Sequence, residues 1–197
     1  AVIAGRYQID REIGRGWMAT VYLAHDIRHD RQVALKFIHA EVADSQATER
    51  FRREIALLAR LQHPHILPLY DSGEWDGALF YVMPYIAGES LRGRIKREGR
   101  LPIDEAIRLA REIADALAYA HAHDVIHRDI KPENILLSEG PALVGDFGIA
   151  RDVRRSGLKR PTDARFPIGP VGYVTPERAA PNSAPRRRRM KIPLPDA

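Results

Sequence analysis

The 197-residue chain contains no cysteine, which excludes disulfide bridges and thiolate-held metals and leaves no sign of an oxidising compartment. No run of eighteen apolar residues occurs, so nothing in it reads as a membrane-spanning helix. The first twenty residues carry Arg6, Asp10, Arg11 and Glu12 where a secretory leader would place an apolar stretch. A cytoplasmic location is therefore the expectation. The chain begins at Ala1 and not at a methionine, which suggests a trimmed N-terminus. Aromatic residues are sparse at 7%, yet 45% of residues are hydrophobic, enough to bury the core of one large domain or two small lobes. Eight histidines invite a metal reading, but no His-Glu-x-x-His spacing occurs, and His121 and His123 diverge on a helix.

Charge is divided unevenly. Residues 1–150 hold 19 basic and 22 acidic side chains, whereas residues 151–197 hold 12 basic and 4 acidic. The densest part, Arg186-Arg187-Arg188-Arg189-Met190-Lys191, has the charge to attract nucleic acid, an anionic membrane or an acidic partner. Four prolines, Pro181, Pro185, Pro193 and Pro195, and the lack of interleaved aromatics favour a solvated, disordered tail over a nucleic-acid reader.

The chemistry concentrates elsewhere. Residues 127–134 read His-Arg-Asp-Ile-Lys-Pro-Glu-Asn, and Asp146-Phe147-Gly148 begins twelve residues after Asn134. One short stretch thus supplies a base candidate in Asp129, a lysine in Lys131, and two metal-ligand candidates in Asn134 and Asp146. Phosphoryl transfer asks for such a set, because it depends on alignment of an acceptor hydroxyl and neutralisation of phosphate charge more than on covalent chemistry.

Upstream, residues 7–38 alternate at short range: Val21 and Leu23 oppose Tyr22 and Ala24, and Val33, Leu35 and Phe37 oppose Ala34, Lys36 and Ile38. This pattern predicts antiparallel strands, with a polar turn over 26–31. Gly14-Arg15-Gly16 opens a run that continues with strand-like residues; a dinucleotide-binding glycine loop would be followed by a helix. Residues 48–62 are spaced as a helix with Phe51, Ile55, Leu58 and Leu61 apolar, and Glu54 lies one turn before Leu58, able to point inward. Two more strands are expected, over 66–69 and 78–83, around a polar turn at 71–77. A short helix is predicted over 90–98, stopped by Gly99. A long one follows over 102–123, with Asp104 and Glu105 in its first turn and Ala106, Leu109, Ile113, Ala116, Leu117 and Ala120 on one face. Short strands are expected at 135–137 and 142–144.

Gly14-Arg15-Gly16-Trp17-Met18-Ala19-Thr20-Val21, Val33-Ala34-Leu35-Lys36, the stretch 127–134, Asp146-Phe147-Gly148 and residues 169–177 stand in the order of a known signature set. Over residues 5–180 the chain resembles a bacterial-type, eukaryotic-like Ser/Thr protein kinase catalytic domain. The resemblance implies an α+β fold: a small antiparallel β lobe of five strands with one helix, and an incomplete, mainly helical large lobe. The implied divisions are a nucleotide-binding small lobe at 1–83, a partial large lobe with catalytic loop and activation segment at 84–180, and a basic Pro-rich tail at 181–197.

By the same resemblance, ATP and Mg2+ are the cofactors and a protein with a Ser or Thr acceptor is the partner. Asp129 accepts or orients the proton of the attacking hydroxyl, Lys131 steadies the γ-phosphate, and Asn134 and Asp146 hold the magnesium. Lys36 grips the α and β phosphates while paired with Glu54. Ile13, Gly14 and Gly16 belong to the loop over the triphosphate, Val21 and Ala34 press on adenine from above, and Leu136 supports it from below. Met83 is the gatekeeper, with the backbone of Pro84 and Ile86 on the adenine edge. Pro84 has only a carbonyl to offer, which suits an exocyclic amine. Lys131 marks Ser/Thr specificity, Arg128 receives an activation-loop phosphate from among Ser156, Thr162 and Thr175, and His127 packs against Phe147.

Some positions depart from the family's pattern. Ala19 replaces a loop glycine, Trp17 is large for the loop tip, and Pro170 stands where the family has a threonine whose hydroxyl bridges Asp129 and Lys131. After Glu177 the chain turns into the basic tail, which reads as a large lobe cut short. That would leave the apolar face of 106–120 open to a dimer mate or partner. Two functions therefore compete: a Ser/Thr kinase, impaired or not by truncation, and a catalytically inactive, pseudokinase-like module that binds nucleotide or protein.

Overall fold

The alternation of residues 7–38 does produce antiparallel strands, and it places Lys36 on a chosen face. The computed structural model describes residues 1–16, 19–39, 45–138 and 140–147, with the side chains of 45–48 and 50 excepted. Trp17, Gly148, Ser156, Thr162, Pro170, Thr175, Glu177 and the basic tail lie outside the described residues. Strands β1 (Val2–Ile3), β2 (Tyr7–Arg15), β3 (Ala19–Asp26), β4 (Arg31–Ile38), β5 (Asp71–Trp75) and β6 (Ala78–Pro84) form one antiparallel sheet in the order β1-β2-β3-β4-β6-β5. Because side chains alternate across a strand, Val33 and Leu35 of β4 join Phe80 and Val82 of β6 in a core on one face. Ile38, Leu79 and Tyr81 face the other way, against Phe51 and Ile55 of helix α1 (Ser45–Leu58). Lys36 has the parity of Ile38, and its register partner on β6 is Tyr81.

The sheet corrects two expectations. It has six strands, not five, because the two-residue β1 pairs with the start of β2. The strand expected at 66–69 is instead at Asp71–Trp75, within the expected 71–77 turn. The true turn is Asp76-Gly77, with φ of 51° and 73°, the two positive values that a two-residue hairpin turn requires and that Asp-Gly adopts most readily. Strand β5 is polar because it is an edge strand. Ile66 is buried in the second core, where it bridges Val144, and Leu67 N–H donates to the Val144 carbonyl at 3.0 Å. Helix α1 also stops at Leu58, short of residue 62, through tightened bonds such as Leu61 N to Leu58 O at 3.0 Å.

The remaining elements are close to expectation. Helix α2 (Leu91–Glu98) is capped by Ser90, whose Oγ accepts from Gly93 N at 3.1 Å, and ends at Gly99 with φ of 77°. Helix α3 (Ile103–Ala122) buries Leu109, Ala116 and Ala120. Ala106 is exposed, as are Ile103 at 77% and Ile107 at 44%, so the buried stripe begins a turn later than the spacing implied. The second core joins this stripe to Leu61, Ile66, Val125, Ile135, Val144 and Phe147. Among the described residues no helix is long and apolar enough to cross a membrane.

A second, three-stranded sheet, β7 (Glu89–Ser90), β8 (Ile135–Leu137) and β9 (Leu143–Val144), carries the catalytic-loop end of the chain. It depends on Gly88, where an added Cβ would lie 2.0 Å from the Leu137 carbonyl oxygen. A backbone oxygen cannot rotate out of the way, so Gly88→Ala must part β7 from β8. Equilibrium urea denaturation is expected to show a loss of about 2 kcal/mol, within the range for overpacking. An unchanged midpoint would mean that the two strands do not hold this approach.

Candidate active site

Two short networks meet where the two cores face each other. The first is built on β4 and β6. Lys36 Nζ is ion-paired to Asp146 Oδ1, and the same oxygen accepts the Tyr81 hydroxyl at 3.1 Å. The ammonium also lies 5.8 Å from the centre of the Tyr81 ring. Burial alone would push the Asp146 carboxyl up, but the Lys36 charge and hydrogen bond, helped by Tyr81, outweigh it and hold the group below the usual carboxylate range. Burial, and then the charge of Asp146, push the Tyr81 phenol well up, so it stays a neutral donor.

The second network is the loop after α3. Lys131 Nζ lies 2.8 Å from Asp129 Oδ2. Asn134 Nδ2 donates to the Asp129 carbonyl at 2.8 Å and to Oδ2 at 3.3 Å. Asn134 is held by the one-turn 3-10 helix Pro132–Asn134 that leads into β8.

His127 and Asn134 join the two networks. Gly145 N–H donates to the Asn134 carbonyl at 2.9 Å. The buried His127 ring donates from Nε2 to the Gly145 carbonyl at 2.8 Å and accepts Asp129 N–H at Nδ1, 3.3 Å away. One donor and one acceptor satisfy a neutral imidazole, and burial pushes its pKa down in agreement. Its ring packs on Phe147 with centroids 4.6 Å apart, as expected. Arg128 and Asp146 have positive φ of 64° and 55°, a conformation that non-glycine residues keep only where surrounding contacts impose it.

The structure thus brings Lys36 to Asp146, and Asp129 to Lys131 and Asn134. It does not bring Lys36 to Glu54. Glu54 Oε1 is 3.8 Å from Arg128 Nη1, while the one ammonium of Lys36 lies on Asp146. The ion pairs of this structure thus differ from the expected Lys36–Glu54 pair: Lys36 is on Asp146 and Glu54 lies toward Arg128. Of the remaining candidates, Gly14 is opposite Val21 across β2 and β3, Ala34 opposite Met83 and Val33 opposite Pro84. Gly16 N–H closes the loop onto Ala19 O at 2.8 Å. Ala34 is buried, Ile13 is exposed, and Val21, Met83, Pro84, Ile86 and Leu136 are half-buried. Tyr81 was not anticipated. The usable signal was a hydroxyl two residues before Met83 on a strand otherwise apolar from Ala78 to Met83, since a buried phenol needs a partner.

Among the described residues no group of three or more His, Asp or Glu side chains forms a complete cation cage. A magnesium ion does not need one, since it is commonly held by one or two protein oxygens together with phosphate and water. Asp146 fits that use, because both of its side-chain partners are on Oδ1.

A two-lobed fold with these networks between its sheets defines a class, and comparison with known proteins agrees: the chain belongs to the protein kinase domain family, whose profile matches residues 7–188. The relatives it resembles are bacterial serine/threonine-protein kinases. It is 43% identical over 179 residues to the serine/threonine-protein kinase PrkC of Bacillus subtilis, covering 90% of this chain and 27% of that protein. It is 44% identical over 176 residues to PknD of Mycobacterium tuberculosis, covering 88% and 26%. The chain therefore spans about a quarter of the length of the curated relatives it matches. The crystal structure of the M. tuberculosis PknI kinase domain superposes with a TM-score of 0.69 at 37% identity, over 76% of this chain and 60% of that one.

Proposed function

We propose that the chain transfers the γ-phosphate of Mg-ATP to a Ser or Thr hydroxyl of a protein. The observation that carries this reading is the joining of Lys36–Asp146 to Asp129–Lys131–Asn134 through His127 and Gly145. In this reading Asp129 orients the acceptor hydroxyl and takes its proton, and Lys131, already beside it, steadies the transferring phosphoryl group. Lys36 turns from Asp146 toward the α and β phosphates. Ile13, Gly14 and Gly16 form the loop over the triphosphate, while Val21, Ala34 and Leu136 enclose the base, with Met83, Pro84 and Ile86 along its edge. Asn134 and Asp146 supply the oxygen ligands; bound Mg2+ supplies charge neutralisation of the phosphates.

A second reading is favoured by a specific observation: with Glu54 toward Arg128 and Lys36 on Asp146, the arrangement also suits a module that holds nucleotide without turning it over. Transfer of labelled phosphate to a generic basic protein separates the two. The chain is expected to label the acceptor, and Lys36→Met to lose about 100-fold or more, the scale of a lost charge-stabilising contact. In parallel, Mg-ATP at about one hundred times its dissociation constant should stabilise the unaltered chain by roughly 2.7 kcal/mol in thermal denaturation. Stabilisation without transfer selects the binding module, and equal labelling by both proteins overturns the enzyme reading.

A further inference from the structure

The geometry points to Tyr81 as a positioning residue that turns Asp146 so that one carboxylate oxygen is left to a divalent cation. This rests on the reading of Asp146 as a cation ligand. Tyr81 stands opposite Lys36 in the β4–β6 register, and its ring is 5% exposed, packed with Phe51, Ile55, Ile38 and Leu79. The packing fixes the ring, so the hydroxyl is delivered to one place, Asp146 Oδ1, at 3.1 Å. Lys36 occupies the same oxygen. Among the described residues, neither side-chain donor reaches Oδ2.

The two donors differ in kind. Lys36 carries charge on a flexible stem and, in the proposed function, leaves Asp146 for phosphate. Tyr81 is neutral and cannot follow. When Lys36 departs, the phenol is the contact that keeps Oδ1 occupied and Oδ2 turned outward. Asp146 needs such a contact, because its own backbone is held at φ of 55°, and a carboxylate in that strained position has no helix or strand ladder to set its direction. Removing the hydroxyl leaves the local charge balance untouched and releases only the orientation of the carboxylate.

The test is Mn2+ binding by electron paramagnetic resonance in the presence of ADP, which reads the cation without turnover. Tyr81→Phe, Asp146→Asn and the double variant are compared with the unaltered chain, each first shown to unfold cooperatively on heating. Tyr81→Phe is expected to weaken Mn2+ binding about tenfold, the scale of one hydrogen bond to a charged group, with ADP affinity in the absence of metal unchanged. In the Asp146→Asn background the same change should have no further effect. If Asp146→Asn leaves Mn2+ binding unaltered, the cation reading of Asp146 falls and the inference with it. If Asp146→Asn weakens binding but Tyr81→Phe does not, or tightens it, the inference alone is overturned. An equal loss from Tyr81→Phe in both backgrounds would assign Tyr81 to packing and would overturn it too.

Discussion

Asp129→Asn is expected to lower phosphoryl transfer by about a thousandfold while leaving the thermal stabilisation by Mg-ATP in place. The substitution keeps the shape of the side chain. Asn134 can still donate to the backbone carbonyl of residue 129, as it does at 2.8 Å, and His127 can still accept the backbone N–H. What disappears is the negative charge that lies 2.8 Å from Lys131 Nζ and the ability to accept a proton. General-base assistance contributes roughly a hundred- to ten-thousandfold, and the middle of that range is the expected loss. Initial rates of label transfer, measured beside the thermal shift, check both halves. Equal rates would remove Asp129 from the reaction. A lost thermal shift would show that Asp129 supports binding rather than transfer.

Asp26→Asn is expected to cost about 3 kcal/mol of stability and to flatten the acid side of the stability profile. Asp26 is fully buried at the end of β3, where Arg6 Nε and Nη2 donate to its two oxygens, each at 2.8 Å, and His29 Nδ1 lies 2.9 Å from Oδ2. The same Arg6 reaches Asp71 of β5 at 2.9 Å, and the Tyr7 hydroxyl donates to that carboxylate at 2.6 Å. One guanidinium, just before β2, thus ties the end of β3 to the start of β5. Breaking a buried ion pair leaves the remaining charge without its counterpart and costs about 3–5 kcal/mol; the low end applies because Arg6 keeps Asp71 and is 23% exposed.

The pH dependence has a definite sign. The Arg6 hydrogen bonds, opposed by burial and assisted by His29, hold the Asp26 carboxyl well below its usual range. A carboxyl depressed in the folded state adds stability that is complete above its unfolded value near ~4 and is lost as pH falls toward the depressed one. Urea midpoints from pH 7 down to pH 3 should therefore decline in the unaltered chain and decline less in Asp26→Asn. Parallel declines would mean that other carboxylates carry the acid sensitivity.

The local patterns were legible where the forces are local. Ser90 and Gly99 mark the ends of α2 because a hydroxyl acceptor and a positive φ are needed there whatever the helix packs against. Strand β4 alternates because successive side chains face opposite sides of the sheet, Val33 and Leu35 toward one core and Ile38 toward the other. The pattern misled at β5, whose residues Asp71 to Trp75 carry no apolar alternation because an edge strand packs against one neighbour only. The Asp76-Gly77 turn was the better guide. Ile66 and Leu67 are apolar like a strand, yet Ile66 is buried in a core with Leu109, Ala116 and Val144, all more than forty residues away.

Membership of the kinase family and the identity of the groups that converge, Lys36, Asp129, Lys131, Asn134 and Asp146, were determined by the sequence alone. Those residue types at those spacings suit one task and few others. Which partner each group takes was decided only by the tertiary structure. Lys36 on Asp146, Glu54 toward Arg128 and the Tyr81 hydroxyl on Asp146 are choices among opposite charges and donors brought within a few ångströms by packing. Coulombic and hydrogen-bond energies at that range turn on distances that no spacing along the chain encodes.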